Sequence, residues 1–139
     1  MSNNSLARLY ISEPIRADFT LTLTRSQSHY LINVMRMTSG DEFLVFNGID
    51  GEWKGFITDA NKKCTTVSVT EQTLPQTNEL DIWLLFAPIK KDRTDFIIEK
   101  ATELGVSKIM PVITEHTQIS RVNIERLQAT AIEATEQSR

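Results

Sequence analysis

The chain changes its hydrophobic rhythm once, between two halves of similar length. Before about residue 70, apolar positions alternate with polar ones in short runs; from Ile82 they form a continuous run and then recur at helical spacing. In the first part, Arg8 to Ile11 predicts a short strand, and Phe19, Leu21 and Leu23 alternate with threonines at the period of a half-buried strand. Ser26 to Met35 changes to helical spacing, with Leu31, Val34 and Met35 on its apolar side. Ser39-Gly40-Asp41 is a turn, Phe43 to Phe46 a strand, and Asn47-Gly48 with Asp50-Gly51 a turn before a strand from Trp53 to Ile57. A polar turn from Asp59 to Lys63 follows, and then Val67 and Val69 alternate with hydroxyl residues. Short strands divided by turns, with one helix inserted, predict a small mixed barrel.

Gln72 to Asn78 is polar, contains proline and precedes the change of rhythm, so it reads as the linker. Ile82 to Ala87 then reads as a strand buried on both faces. It stops at Pro88, and Lys90, Lys91 and Arg93 follow. Asp92 is placed to cap a helix whose apolar side is Ile97, Ala101 and Leu104, with Gly105 as its left-handed C-terminal cap. Ile109 to Ile113 reads as a second strand, with Pro111 suited to an edge or a strand end. After a polar connection from Thr114 to Arg121, Asn123 caps a second helix with Ile124, Leu127, Ala131 and Ala134 on one face. The order is strand, helix, strand, helix. Two right-handed crossovers put both helices on one side of a parallel sheet. The other face of Ile82 to Phe86 is then bare unless something absent from this sequence covers it, so this module reads as half a domain.

Charge narrows the function classes. The net charge is -3, and splitting the chain after Glu79 gives seven basic and nine acidic residues, then eight and nine. Neither half suits a protein that coats nucleic acid through a basic domain, so any such contact must come from local clusters. One cysteine excludes an internal disulfide and fits a reducing compartment. No run approaches the roughly 18 apolar residues of a membrane span, and the N-terminus lacks the pattern of a secretory signal. A cytoplasmic protein without a membrane partner is expected.

Lys90, Lys91 and Arg93 lie where a strand's carboxyl end meets a helix start, a place that suits phosphate binding; the competing reading is a solvated loop of charges. Arg8 and Arg36 read by themselves as surface cations that could pair with residues such as Asp41 or Glu42. His29 reads by itself as a capping or packing residue. Trp53, Phe56 and Trp83 read as core, Cys64 as inert, and Glu133 and Glu136 as surface carboxylates.

Four stretches, taken together, resemble the small-subunit (16S) rRNA uridine-N3 methyltransferases of the knotted (SPOUT) superfamily. They are Arg8-Leu9-Tyr10; His29 through Val34-Met35-Arg36; Lys90 through Glu99-Lys100-Ala101-Thr102-Glu103-Leu104-Gly105; and Glu133 to Arg139. Glu99 stands where the family has glutamine, and Arg139 follows Ser138 without an intervening glycine. The resemblance implies an α+β protein: a PUA-like RNA-binding β-barrel over 1–75, then over 76–139 the first βαβα half of a knotted methyltransferase domain. It implies S-adenosylmethionine as cofactor, held beyond residue 139 by glycine-rich loops and the knot, with 16S rRNA or the small ribosomal subunit as partner. It also implies a homodimer at full length. Arg8, His29, Arg36, Lys90, Lys91 and Arg93 are the expected RNA contacts; Glu136, Gln137 and Arg139 are expected to support the site. No catalytic, cofactor-binding or metal-ligating residue is expected within the chain, which should be inactive alone. A non-catalytic RNA-binding adaptor and a structural partner using the bare sheet face are the alternatives.

Overall fold

The computed structural model describes residues 6–78, 80–117 and 121–138. Its chain forms two compact units, Met1–Thr77 and Asn78–Arg139.

In the first unit β1 (Arg8–Tyr10) and β2 (Thr20–Thr22) precede α1 (Arg25–His29), which runs on as a π-helical turn over Tyr30–Val34. Then come β3 (Glu42–Phe46), β4 (Glu52–Asp59) and β5 (Thr66–Leu74). The strands form one sheet in the order β1-β3-β4-β5-β2, parallel only between β1 and β3. Every strand sends apolar side chains into a single core: Leu9, Leu21, Phe43, Val45, Ile57, Val67 and Val69, joined by Leu31 from the helix. A curled sheet can do this because alternate residues of each strand share one face. The Asn47–Gly51 turn is held from inside. Asn47 Oδ1 accepts from the amides of Ile49 (2.9 Å) and Asp50 (2.8 Å). Asp50 Oδ2 accepts from the Ile15 amide (3.0 Å) and Asn47 Nδ2 (2.7 Å), and these bonds hold its carboxyl below the usual range. Gly51 has φ +85°, and a Cβ there would collide with the Leu74 carbonyl oxygen.

Two expectations for this unit are corrected. The helix begins with a reciprocal cap, Thr24 Oγ1 accepting from the Gln27 amide and Gln27 Oε1 from the Thr24 amide. Its second turn carries an i→i+5 bond, Met35 N to Tyr30 O at 2.9 Å. That extra residue shifts the helix phase, so Ser28 and Leu31 are buried while Val34 and Met35 are exposed. The last strand also continues to Leu74, opposite Glu52, so Gln72 to Leu74 are ladder residues rather than linker.

The second unit contains β6 (Trp83–Phe86), α2 (Lys91–Glu103), β7 (Lys108–Pro111) and α3 (Ile124–Gln137), with β6 and β7 paired in parallel. Helix α2 starts earlier than Asp92 suggests. Lys90 is the N-cap residue, without a side-chain cap bond, and Asp92 lies in the first turn. The entry is fixed instead by buried Thr94, whose hydroxyl bonds both the amide (3.1 Å) and the carbonyl (3.0 Å) of Ile89. The buried face is accordingly Thr94, Ile98 and Ala101; Leu104 is the C-cap residue and 84% exposed. Gly105 (φ +85°) closes the helix, its amide reaching Thr102 O and the Val106 amide reaching Ala101 O. Asn123 Oδ1 caps α3 through the Arg126 amide at 3.2 Å, and Leu127 and Ala134 are buried. Pro111 ends its strand.

The two faces of this small sheet differ. Ile109 and Pro111 line a cavity of about 150 Å³ with Ile98 of α2 and Ile124, Leu127 and Ala131 of α3. Their ladder partners Leu84 and Phe86 share that face. On the other face Trp83 is 52% and Leu85 56% exposed, and Lys108 Nζ lies 4.5 Å from the Trp83 ring centroid. The strand is therefore covered on one side only, and Trp83 is not a core residue.

Candidate functional site

Helix α1 and the β4–β5 turn are tied together at a buried point. Ser28 Oγ accepts from the Thr65 amide at 2.9 Å, both residues being fully buried, and the Leu23 amide donates to Thr65 O at 2.9 Å. The turn has its own lock: Asn61 Oδ1 accepts from the Lys63 amide (2.9 Å), and Asn61 O from the Cys64 amide (3.1 Å) and Thr65 Oγ1 (2.7 Å). Between the helix and the turn lies an open cleft of about 650 Å³, lined by Arg25, Ser26, His29, Asn33, Lys62 and Lys63. No carboxylate lines it, and among the described residues none of its three cations forms an ion pair.

His29 is exposed on this cleft, which overturns a packing role. Asn33 Nδ2 lies 2.7 Å from His29 Nδ1. An amide nitrogen only donates, so Nδ1 is the acceptor in this contact and Nε2 is the ring nitrogen left to donate. The structure does not bring Arg8 or Arg36 to the cleft lining. Arg8 is only 15% exposed at its side chain, bonded to Glu52 Oε2 at 2.8 Å and stacked 4.5 Å from the Phe46 ring centroid. Arg36 is exposed in a left-handed conformation (φ 55°) after the π-helical turn. Asp41, its suggested partner, instead accepts from the Thr38 amide at 2.8 Å.

In the second unit, Lys91 lines a smaller cleft of about 250 Å³ with Pro88, Ile89, Thr94, Arg121, Val122, Asn123 and Arg126. Arg126 is engaged by Asp95. Lys90 and Arg93 are exposed beside Lys91 without lining the cleft. Glu133 and Gln137 are exposed on α3, Glu136 is half-buried, and Arg139 lies outside the described residues. Asp81, below the usual carboxylate range, accepts from Ser107 Oγ (2.8 Å) and Trp83 Nε1 (2.7 Å), which fixes the start of β6.

Sequence reasoning missed Arg25, Lys62, Lys63, Arg121 and Arg126. The adjacent lysines were a signal, but their turn was read only as a turn. Arg25 joins them only once Ser28 meets Thr65. Among the described residues there is no cluster of three His, Cys, Asp or Glu that could hold a metal, and no helix long and apolar enough to cross a membrane.

The description "RNA methyltransferase PUA domain" matches residues 23–68, which include the whole cleft of the first unit, and "RNA methyltransferase domain" matches 76–139. Ribosomal RNA small subunit methyltransferase E of Rickettsia conorii is 38% identical over 132 residues, covering 94% of this chain and 54% of that protein. The protein of the same name from Synechocystis is 36% identical over 135 residues, covering 94% and 44%. Among solved structures, the methyltransferase E of Neisseria gonorrhoeae bound to S-adenosyl methionine is similar at a TM-score of 0.84 and 28% identity, over 95% of this chain and 56% of that one. The chain spans about half the length of the curated relatives it matches. Over that half, a PUA match is followed by a methyltransferase match, and the chain is similar along nearly its whole length to these ribosomal RNA small subunit methyltransferases.

Proposed function

We propose that this chain is the RNA-recognition barrel and the first half of the catalytic fold of a cytoplasmic, homodimeric enzyme that methylates uridine N3 in 16S rRNA with S-adenosylmethionine. The observation that carries the reading is the succession, in one chain, of the two domain matches over 23–68 and 76–139. Methyl transfer to a ring nitrogen needs the base edge held in line with the methyl group and the N3 proton removed. Positioning supplies much of such an acceleration, and RNA gripped by cations on a rigid barrel is a means of positioning. The second unit contributes Lys91 at its cleft, flanked by exposed Lys90 and Arg93, for a phosphate near the reacting nucleotide. Glu136, Gln137 and Arg139 are assigned to support that site.

The described residues do not fit the cofactor itself. Among the described residues, the second-unit clefts lined by Ile109 and by Lys91, about 150 and 250 Å³, fall below the roughly 300 Å³ at which small-molecule sites begin. The only glycine after residue 77 is Gly105, which is used to close α2. The donor's site is therefore assigned to sequence outside these 139 residues, and no chemical step is derived through it. Calorimetric titration of S-adenosylmethionine into this chain should show no saturable heat at micromolar concentration. Saturable binding there would contradict the assignment of the donor site.

A further inference from the structure

The cleft between α1 and the β4–β5 turn is where the charge of the first unit is least balanced. This unit is acidic overall, yet three of its seven cations (Arg25, Lys62 and Lys63) meet in one concavity that no carboxylate lines. Four of the unit's eight carboxylates are committed elsewhere: Glu52 to Arg8, Glu71 to Lys54, Asp50 to the Ile15 amide and Asp41 to the Thr38 amide. The geometry is set before any ligand arrives. Buried Ser28–Thr65 pins the helix to the turn, and the Asn61 bonds fix the turn that carries both lysines. Like charges held together in this way, with no ion pair to them among the described residues, lower the cost of organising the site around an anion.

The lining also selects among anionic partners. All six lining residues carry polar or charged side chains, so the cleft lacks the aliphatic, Phe, Tyr or Trp anchor that a protein hot spot or an interfacial membrane contact uses. A concave, cationic surface that also offers an imidazole ring matches a nucleic-acid strand and its phosphates. His29 adds a donor: with Nδ1 occupied by Asn33, Nε2–H is left to meet a phosphate or base oxygen. We propose that this cleft seats the phosphate backbone of RNA, with Arg25, Lys62 and Lys63 on successive phosphates and His29 hydrogen-bonding beside them. The inference deepens the function proposed above, and moves the barrel's main RNA contact from Arg8 and Arg36 to a cluster that is assembled only by folding.

The test uses the 139-residue chain and a fluorescein-labelled single-stranded RNA of about 20 nucleotides, with binding followed by anisotropy across a salt series. Single-strand phosphate contacts each contribute roughly 0.7 to the slope of log affinity against log salt. The Lys62→Ala/Lys63→Ala double variant should therefore weaken binding about tenfold and flatten the slope by roughly 1.4, and Arg25→Ala, from the helix side, by roughly 0.7. Lys54→Ala, removing an ammonium paired with Glu71 at 2.9 Å, should change neither. The single cysteine, exposed Cys64, follows Lys63 directly and reports position: RNA should slow its alkylation in the parent chain.

If the parent binds RNA but the double variant keeps its slope and Cys64 its alkylation rate, the cleft is overturned and the proposed function survives. If the parent binds no RNA, both fall. Lysine-dependent binding to phosphatidylserine vesicles in place of RNA would also overturn the cleft assignment. Unchanged circular dichroism of the variants, whose altered cleft side chains Arg25, Lys62 and Lys63 are exposed, separates these outcomes from unfolding.

Discussion

The two units solve the same problem, burying one face of a sheet, with different completeness. In the first, five strands and a helix send Leu9, Leu21, Leu31, Phe43, Val45, Ile57, Val67 and Val69 into one core, each buried. In the second, two strands carry two helices on one side, and the fully buried apolar residues are Ile98, Ala101, Leu127 and Ala134. The opposite side shows Trp83 and Leu85 to solvent. The contrast teaches that a barrel segment can be closed by its own chain, whereas a two-stranded parallel sheet with both helices on one face cannot. Local strand signals are equally strong in both units; the number of strands available to curl around a common centre decides the outcome.

The sharpest way to break the comparison is to damage the closed core. Phe43 is fully buried in β3. Phe43→Ala should cost about 3–5 kcal/mol by lost transfer energy and cavity formation, measured by urea unfolding. A loss below 1 kcal/mol would mean that the first unit is not packed around that ring.

Next in size is the acid response of the Asn47–Gly51 turn. The folded state holds Asp50 below its reference value of 3.8, chiefly through the Ile15 amide and then through Asn47. A depressed carboxylate stabilises the fold fully above its unfolded pKa, and the contribution is lost as pH falls through the lower, folded value. Stability of the first unit should therefore decline below about pH 4. Asp50→Asn should reduce that dependence and lower stability at neutral pH, read from Trp53, whose indole nitrogen donates to Asp50 O at 2.8 Å. An Asp50→Asn variant with an unaltered acid transition would contradict the linkage.

The smallest effect belongs to the uncovered face. Trp83→Ser with Leu85→Ser should change unfolding free energy by no more than about 0.5 kcal/mol each, the range of surface substitutions, while reducing self-association in sedimentation. A cooperative loss of several kcal/mol would show that this face is buried after all.

The sequence made the barrel legible because its strands alternate and their turns carry Asn-Gly, Asp-Gly and Ser-Gly-Asp signals. It made the bare face legible through topology: two crossovers of one hand leave one side uncovered. What it concealed was phase and partnership. A π-helical turn kept Leu31 buried but left Val34 and Met35 exposed and put Ser28 inside instead. Thr94 rather than Asp92 organised the entry to α2, because a hydroxyl can bond an amide and a carbonyl at once. Trp83, an aromatic in a strand, looked like core although its neighbours placed it on the uncovered side. Of the expected RNA contacts, His29 lines the cleft of the first unit and Lys91 that of the second. Arg8 turned inward to Glu52. The cluster at Arg25, Lys62 and Lys63 depends on residues 37 positions apart, Ser28 and Thr65, meeting in the fold; no local pattern carries that.

The two tryptophans fall one in each unit, Trp53 half-buried against the core of the first and Trp83 about half exposed in the second. Single-tryptophan variants, Trp83→Phe and Trp53→Phe, let acrylamide quenching and urea unfolding be read from each unit separately. The account predicts that Trp83 is quenched strongly in native buffer and reports unfolding at lower urea than Trp53. Equal shielding of the two indoles, together with coincident transitions, would contradict it.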